Sequence, residues 1–234
     1  MQLLKNSAQS GATALPKETA HQSVYENLRG RILFGDLAPG QAVTIKGLSE
    51  EIQSGLTPVR EAIRRLISDG ALKMMGNRRV IVPVLTENCI EELDFMRKSL
   101  EPQLARRAAQ HMTDGAFRTL LAHDHDLNTA ISEGDIQGYL TQNYNFHATV
   151  YALAEAPIMS ATVDRLWLRF GPSLRVVCGR YGTMNLPDKH ADLLKAFKNG
   201  DASAAAHAMA EDVAQGMVQI KEALQETPTK RRLD

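Results

Sequence analysis

The sequence predicts a mostly α protein, an N-terminal winged helix-turn-helix followed by a C-terminal all-α antiparallel helical bundle. Three observations carry that expectation. Apolar residues recur at helical spacing through most of the 234 residues. One stretch, ALKMM, GNRR, VIVPV, reads as a tight hairpin directly after two closely spaced helices. After Thr86 no further strand pattern interrupts the helical one. The expected divisions are a flexible leader at 1–20, the winged helix-turn-helix at 21–85, the bundle at 86–225 and a polar tail at 226–234.

Residues 1–20 are rich in Ala, Ser, Thr, Gln and Lys and show no periodicity, the composition of a mobile segment. A first helix is expected from Gln22 to Phe34, with Val24, Tyr25, Leu28, Ile32 and Leu33 on one face, and Gly35 ends it. DLAPGQ follows as a turn. An extended piece, Ala42 to Ile45, leads to a second helix that turns Leu48 and Ile52 inward and stops at Ser54-Gly55. Thr57 is the expected N-cap of the third helix and Pro58 its first residue. Val59, Ile63, Leu66 and Ile67 then face inward, and Gly70 closes the helix. In the bundle, helices are expected at 87–111, 114–132, 135–154, 158–177, 188–199 and 201–225. Short connections between six helices make an antiparallel bundle, whose interior is a natural ligand site.

Composition narrows the function classes. Lys plus Arg and Asp plus Glu number 27 each. Within that balance, 21–85 carries nine basic and six acidic residues, a net of +3, and 86–225 carries thirteen and eighteen, a net of −5. A basic first third is what approach to phosphate requires. Cys89 and Cys178 lie far apart without metal or redox spacing, as expected in a reducing compartment. The first residues lack the apolar core of a signal peptide, and no apolar run approaches the ~20 residues needed to span a bilayer. A cytoplasmic protein without a membrane partner is therefore expected. No HExxH, GxSxG or nucleophile pairing is present, so no enzyme is expected.

A helix entering the major groove needs long donors near its N-terminus. Thr57, Arg60 and Arg64 meet that need, the two arginines sharing a face four residues apart. Alternatively, Arg60 pairs with Glu61 or Glu51. Arg65 faces away and is expected to be structural. Asn77, Arg78 and Arg79 form the wing tip, where guanidinium groups suit a narrow minor groove. Two-fold use of one recognition helix implies a homodimer on double-stranded operator DNA carrying a short inverted repeat.

In the bundle, Asn143 and His147 at i, i+4 project from one helix face, either as two ligands of one ion or as hydrogen-bonded core residues. His123-Asp124-His125-Asp126 is expected to be a solvated face, since neighbouring helical residues point apart. Arg97, among Leu93, Met96 and Leu100, needs an anionic partner if buried. An acidic effector and Glu101, one turn later, are both candidates.

Residues 24–83 resemble the DNA-binding domain of the GntR family. The likeness lies in VYENLRGRILFGDLAPGQ, the Leu48 helix and TPVREAIRRLISDGAL. The second domain resembles the ligand-sensing FCD domain of the FadR-like subfamily, through Arg97 with Leu100-Glu101, Ala108-Ala109, Phe146-His147 and Asn199-Gly200-Asp201. Lys189-His190 stands where that subfamily carries Glu-His, and the six helices lean toward its VanR-like branch. The resemblance implies a ligand-responsive transcription regulator, acting as a repressor, with Lys46, Thr57 and Arg60 on DNA. It implies that Arg97 receives a small carboxylate or sugar-acid effector. It further implies a divalent metal (Zn, Ni, Mn or Fe) at Asn143, His147, His190 and Asp212, where the family carries Asp, His, His and His. The family's usual Ser-Arg before Thr57 is Gly55-Leu56 here, and its wing-tip Arg-Gly is Arg78-Arg79. A metal-dependent enzyme, or an architectural DNA-binding protein with an unliganded dimerisation bundle, are the alternatives.

Overall fold

A computed structural model of the chain describes residues 17–76, 79–181 and 189–225. The first part contains α1 (Lys17–Leu33), β1 (Ala42–Val43), α2 (Ile45–Glu51), α3 (Leu56–Ser68), β2 (Lys73–Met74) and β3 (Val80–Ile81). Six helices follow: α4 (Glu87–Gln110), α5 (Asp114–Glu133), α6 (Ile136–Leu153), α7 (Pro157–Tyr181), α8 (His190–Lys198) and α9 (Ala202–Gln225). No helix among the described residues is long and apolar enough to cross a membrane.

The predicted inward faces of the first domain are buried, except that Ile52 and Ile67 are only half-buried at the edge of the core. Val24, Tyr25, Leu28, Ile32 and Leu33 of α1 meet Val59, Ile63 and Leu66 of α3 in one core with Leu48. Thr44 caps α2 by accepting a hydrogen bond from the Gly47 backbone N–H at 3.0 Å. The wing is a three-stranded antiparallel sheet in the order β1-β3-β2, pairing Ala42 with Ile81 and Lys73 with Ile81 from the other side. The first two residues of the predicted extended piece thus form a third strand, while Thr44 caps α2 and Ile45 opens it, so the hairpin is pinned to the base of α2.

Three expectations are corrected. α1 begins at Lys17, within the stretch expected to be a leader. KETA has good intrinsic helix formers but no apolar residue to report the periodicity. Thr57 is not the N-cap of α3: Gly55 is, with an extended backbone, and α3 starts at Leu56. Pro58 is then the third helical residue, where its missing N–H costs no intrahelical bond. The wing strands also pair over two residues each, shorter than the runs of five expected.

In the bundle, Thr86, Thr113 and Asp135 cap α4, α5 and α6 with their side chains, and Gly134 ends α5 in the left-handed conformation. α4 packs along α9, α5 along α6, and α7 lies between the bundle and α1. The outer side of α7 carries the docking of the first domain. Arg29 of α1 forms an ion pair with Asp164 and donates to the Tyr144 hydroxyl at 2.9 Å, and that hydroxyl donates to Asp164 at 2.6 Å. Arg175 donates to Gln137 Oε1 at 2.6 Å and reaches the Phe34 carbonyl at 3.4 Å.

Gly171 lets α7 come close to the end of α1. A Cβ there would lie 2.4 Å from the Leu33 carbonyl oxygen, which is backbone and cannot step aside. Gly171→Ala has two opposed effects. Alanine favours the helix by up to about 1 kcal/mol, but overpacking against rigid backbone costs roughly 1–3 kcal/mol. The clash wins, so the variant is expected to have a lower thermal midpoint in calorimetry. An unchanged or higher midpoint would show that α1 and α7 are not in rigid contact.

Candidate functional site

The interior of the bundle gathers polar groups from four helices. His147 sits on the inner face of α6, one turn after Asn143. Asp212 comes from α9, Arg97 from α4, and His190 is the first residue of α8. His147 and His190 are both almost fully buried. Each of His147, His190 and Asp212 offers one ligand atom within 4.8 Å of the others. Two ligands about 2.1 Å from a common ion span at most about 4 Å. The cluster is thus close to the size of a loaded site, and its two imidazoles and one carboxylate suit Zn, Ni, Mn or Fe. The residues fit a divalent cation. Asn143, His147 and Asp212 line one cavity of about 50 Å³, with Arg97, Tyr139 and Trp167 on its other walls.

The Asp212 carboxylate carries the electrostatic signature of the site. Burial alone would raise its pKa, but the His147 hydrogen bond and the charges of His147, His190 and Arg97 outweigh it, holding the carboxyl at about 2. His147 Nε2 lies 3.2 Å from Asp212 Oδ2. The His190 ring stacks on Phe146, centroids 3.9 Å apart.

Behind His147 stands a second layer that the sequence shows only in part. Arg97 Nε donates to Glu101 Oε1 at 2.5 Å, and Nη2 donates to Oε2 at 3.2 Å. Both side chains are essentially inaccessible to water. Burial opposes the guanidinium charge, but Glu101, helped by Tyr151 and Asp212, more than offsets this and raises the Arg97 pKa. The Arg97 guanidinium also lies over the Phe170 ring at 4.0 Å. The Tyr151 hydroxyl donates to Glu101 Oε2 at 2.7 Å, sits 3.1 Å from His147 Nδ1, and accepts from Trp167 Nε1 at 3.2 Å. Neither Tyr151 nor Trp167 has a signal in the sequence beyond being aromatic in a helix.

The structure thus brings together Asn143, His147, His190, Asp212 and Arg97, and pairs Arg97 with Glu101. The expectation for His123-Asp124-His125-Asp126 needs correction. His125 and Asp126 are exposed, but His123 and Asp124 turn partly inward, because α5 packs against both α6 and α8. Asp124 Oδ1 lies 3.7 Å from His190 Nδ1, and His123 Nδ1 is 2.9 Å from Gln142 Oε1.

On the first domain, Thr57, Arg60 and Arg64 are all exposed along α3. The ion pair considered for Arg60 belongs to Arg64 instead, with Glu61 at 2.8 Å. Glu51 pairs with Arg31 at 2.5 Å. Arg60 makes no ion pair among the described residues. Arg65 stacks over the Tyr25 ring at 3.7 Å and donates to Gln22, which fits its structural role. Lys46 is exposed, 3.8 Å from Glu50. Arg79 is exposed at the end of the wing turn, and Asn77 and Arg78 lie outside the described residues.

Comparison with known proteins places the two domains in known families. Residues 92–215 match the FCD domain, and residues 20–82 match bacterial regulatory proteins, gntR family. The HTH-type transcriptional regulator McbR of Escherichia coli K12 is 27% identical over 197 residues, 83% of this chain and 89% of that protein. The HTH-type transcriptional repressor RspR of the same strain is 24% identical over 214 residues, 88% and 92% of the respective chains. The solved structure of E. coli McbR/YncC is similar with a TM-score of 0.82 at 26% identity, covering 88% of this chain and 98% of that one.

The Arg97–Glu101 pair sets a stability test. Glu101→Ala leaves a buried guanidinium without its bidentate partner, a change that costs about 3–5 kcal/mol. Chemical denaturation of the variant should show a loss of that size. A loss below about 1 kcal/mol would mean that Asp212 or water takes over the charge.

Proposed function

Because the chain belongs to the GntR family of bacterial regulatory proteins and carries an FCD domain, we propose that it is a homodimeric cytoplasmic repressor that a small anionic effector releases from its operator. The observation that carries this is the meeting of His147, His190 and Asp212, from three helices, beside a cavity that His147 and Asp212 line. A divalent metal fits there, with Asn143 as the fourth and weaker donor, because an amide oxygen is neutral where a carboxylate is charged. When bound, the ion supplies a Lewis-acidic position for an effector carboxylate. Arg97 presents the remaining cationic wall. Its Nε and Nη2 are engaged by Glu101, so Nη1, 3.6 Å from Met217 Sδ, is the edge left for an effector. The cavity is far below the ~300–1,000 Å³ of a drug-sized pocket. Its size favours a small carboxylate over a sugar acid.

Recognition of DNA falls to α3 and the wing. Thr57, Arg60 and Arg64 face the major groove, Lys46 the phosphates, and Asn77, Arg78 and Arg79 the minor groove. The two domains divide between residues 85 and 86, with α1 from Lys17 belonging to the first. α7 couples the two. Its inner face lines the cavity through Trp167, Phe170 and Leu174, and its outer face holds α1 through Asp164, Gly171 and Arg175. An effector that moves the inner face displaces the recognition helices from two half-sites at once. The families matched are of transcription regulators rather than enzymes, and a polar internal cavity has no use in a purely architectural protein.

Two measurements check this. Arg60→Ala is expected to weaken binding to an inverted-repeat operator by roughly 1–3 kcal/mol at fixed salt while leaving the thermal midpoint unchanged. Equal affinities of variant and wild type would remove Arg60 from the interface. Elemental analysis after mild purification is expected to find a divalent metal in the wild type and none in the His147→Ala, His190→Ala double variant, with Asn143→Asp binding it more tightly. A wild type that carries no metal, takes none up and shows no thermal shift with any would make these residues an ordinary polar pocket.

A further inference from the structure

The exposed face of α3 carries one residue that charge does not explain. Leu56, the first residue of the helix, is 52% exposed and lies outside the hydrophobic core. The rest of that face is Thr57, Arg60, Glu61, Arg64, Arg65 and Ser68, all polar. At about 100° per residue, Leu56, Arg60, Arg64 and Thr57 fall in that order within roughly 100° of arc. The buried residues Val59, Ala62, Ile63 and Leu66 take up a different side of the helix. Leu56 thus shares the stripe of the two arginines rather than the one that faces the core. Helical side chains lean toward the N-terminus, so Leu56 reaches furthest forward along that stripe.

We propose that Leu56 is a base-reading residue that packs against the C5-methyl group of a thymine in the major groove, beside the base that Arg60 contacts. The assignment rests on the reading of α3 as the recognition helix. Such a helix places its N-terminal residues at the base edges. In the major groove thymine alone presents a methyl group, whereas guanine and adenine present hydrogen-bonding atoms. A leucine side chain has no polar atom to offer them. Against a purine edge it strips water and returns no hydrogen bond, which costs free energy. Against the thymine methyl it buries apolar surface on both partners. The residue therefore discriminates twice, by attraction to the methyl and by rejection of the purines. Register follows from helix geometry. Leu56 precedes Arg60 by four residues, roughly 6 Å along the axis, and successive base pairs lie about 3.4 Å apart. The thymine is thus placed within about two base pairs of the base that Arg60 reads.

The test begins with selection from a random duplex library by the full-length protein. It is expected to return an inverted repeat with one such thymine in each half-site. Deoxyuridine in place of that thymidine removes the methyl and keeps the pairing edge. Loss of one buried methyl should weaken wild-type binding about fourfold per half-site, and about fifteenfold when both are changed. Leu56→Ala is expected to bind the thymidine and deoxyuridine duplexes alike, with the thermal midpoint of the wild type. Leu56→Met keeps an apolar side chain of similar volume and should keep the sensitivity. A library that yields no preferred sequence would defeat the operator reading, and the role of Leu56 with it. A preferred repeat that binds equally well with deoxyuridine at every thymidine would overturn the role of Leu56 alone. So would a folded Leu56→Ala protein with the wild-type response to the methyl, which would move the contact to another residue such as Thr57.

Discussion

The buried pair of Arg97 and Glu101 is the constraint around which the bundle is arranged. Two opposite charges removed from water on one helix need excellent geometry and further hydrogen bonds to hold their place. Here the carboxylate accepts from the guanidinium through both oxygens and from Tyr151 as well, while aromatic rings of α7 cover the guanidinium. These requirements fix the spacing of α4, α6 and α7. Once they are spaced, His147 has little choice of orientation, and Asp212 of α9 is the group it meets. The polar centre of the bundle is therefore a consequence of one ion pair rather than a set of independent contacts.

The same spacing governs how the two functional regions meet. Tyr144 stands on α6 with its ring against Trp167, centroids 5.4 Å apart, and against Phe34 of the N-terminal domain at 6.0 Å. Its hydroxyl shares Asp164 with Arg29. One aromatic side chain thus touches a wall of the cavity and the helix that supports the DNA-binding core. Burial largely, and Asp164 in addition, push the Tyr144 pKa to about 12, so this hydroxyl also stays a donor. Packed contacts of this kind have discrete arrangements rather than continuous ones, which is how a small displacement in a core becomes a rigid-body change.

Much of this was legible in the sequence, and the reasons differ by element. Bundle helices declare their ends locally, because Thr86, Thr113, Asp135 and Gly134 are capping residues next to periodic apolar runs. Asn143 and His147 are legible as a pair because one helical turn joins them. His190 and Asp212 come only from family resemblance, since nothing local marks a histidine at 190 as a neighbour of one at 147. The Arg97–Glu101 pair is visible as an i, i+4 option, but burial decides between it and an effector contact, and burial is a tertiary quantity. Tyr151 and Asp124 are illegible for the same reason: their roles depend on helices that meet far apart in the chain. At α3, Gly55 and Thr57 compete for one cap two residues apart, and the extended backbone at Gly55 settles the contest.

Gly171 carries a consequence for protein engineering. Regulators of this architecture invite the exchange of DNA-binding modules, so that one sensor can be wired to another's promoter. Here the seam between modules is not a neutral hinge. It is a backbone-to-backbone contact at Leu33, flanked by Arg29 on Asp164 and Arg175 on the Phe34 carbonyl. A foreign module with a bulkier turn after its first helix would sit displaced and lose its electrical partners on α7. A chimera that keeps its inducibility must therefore carry the outward face of α7 along with the module, although those residues lie more than a hundred positions away in the chain.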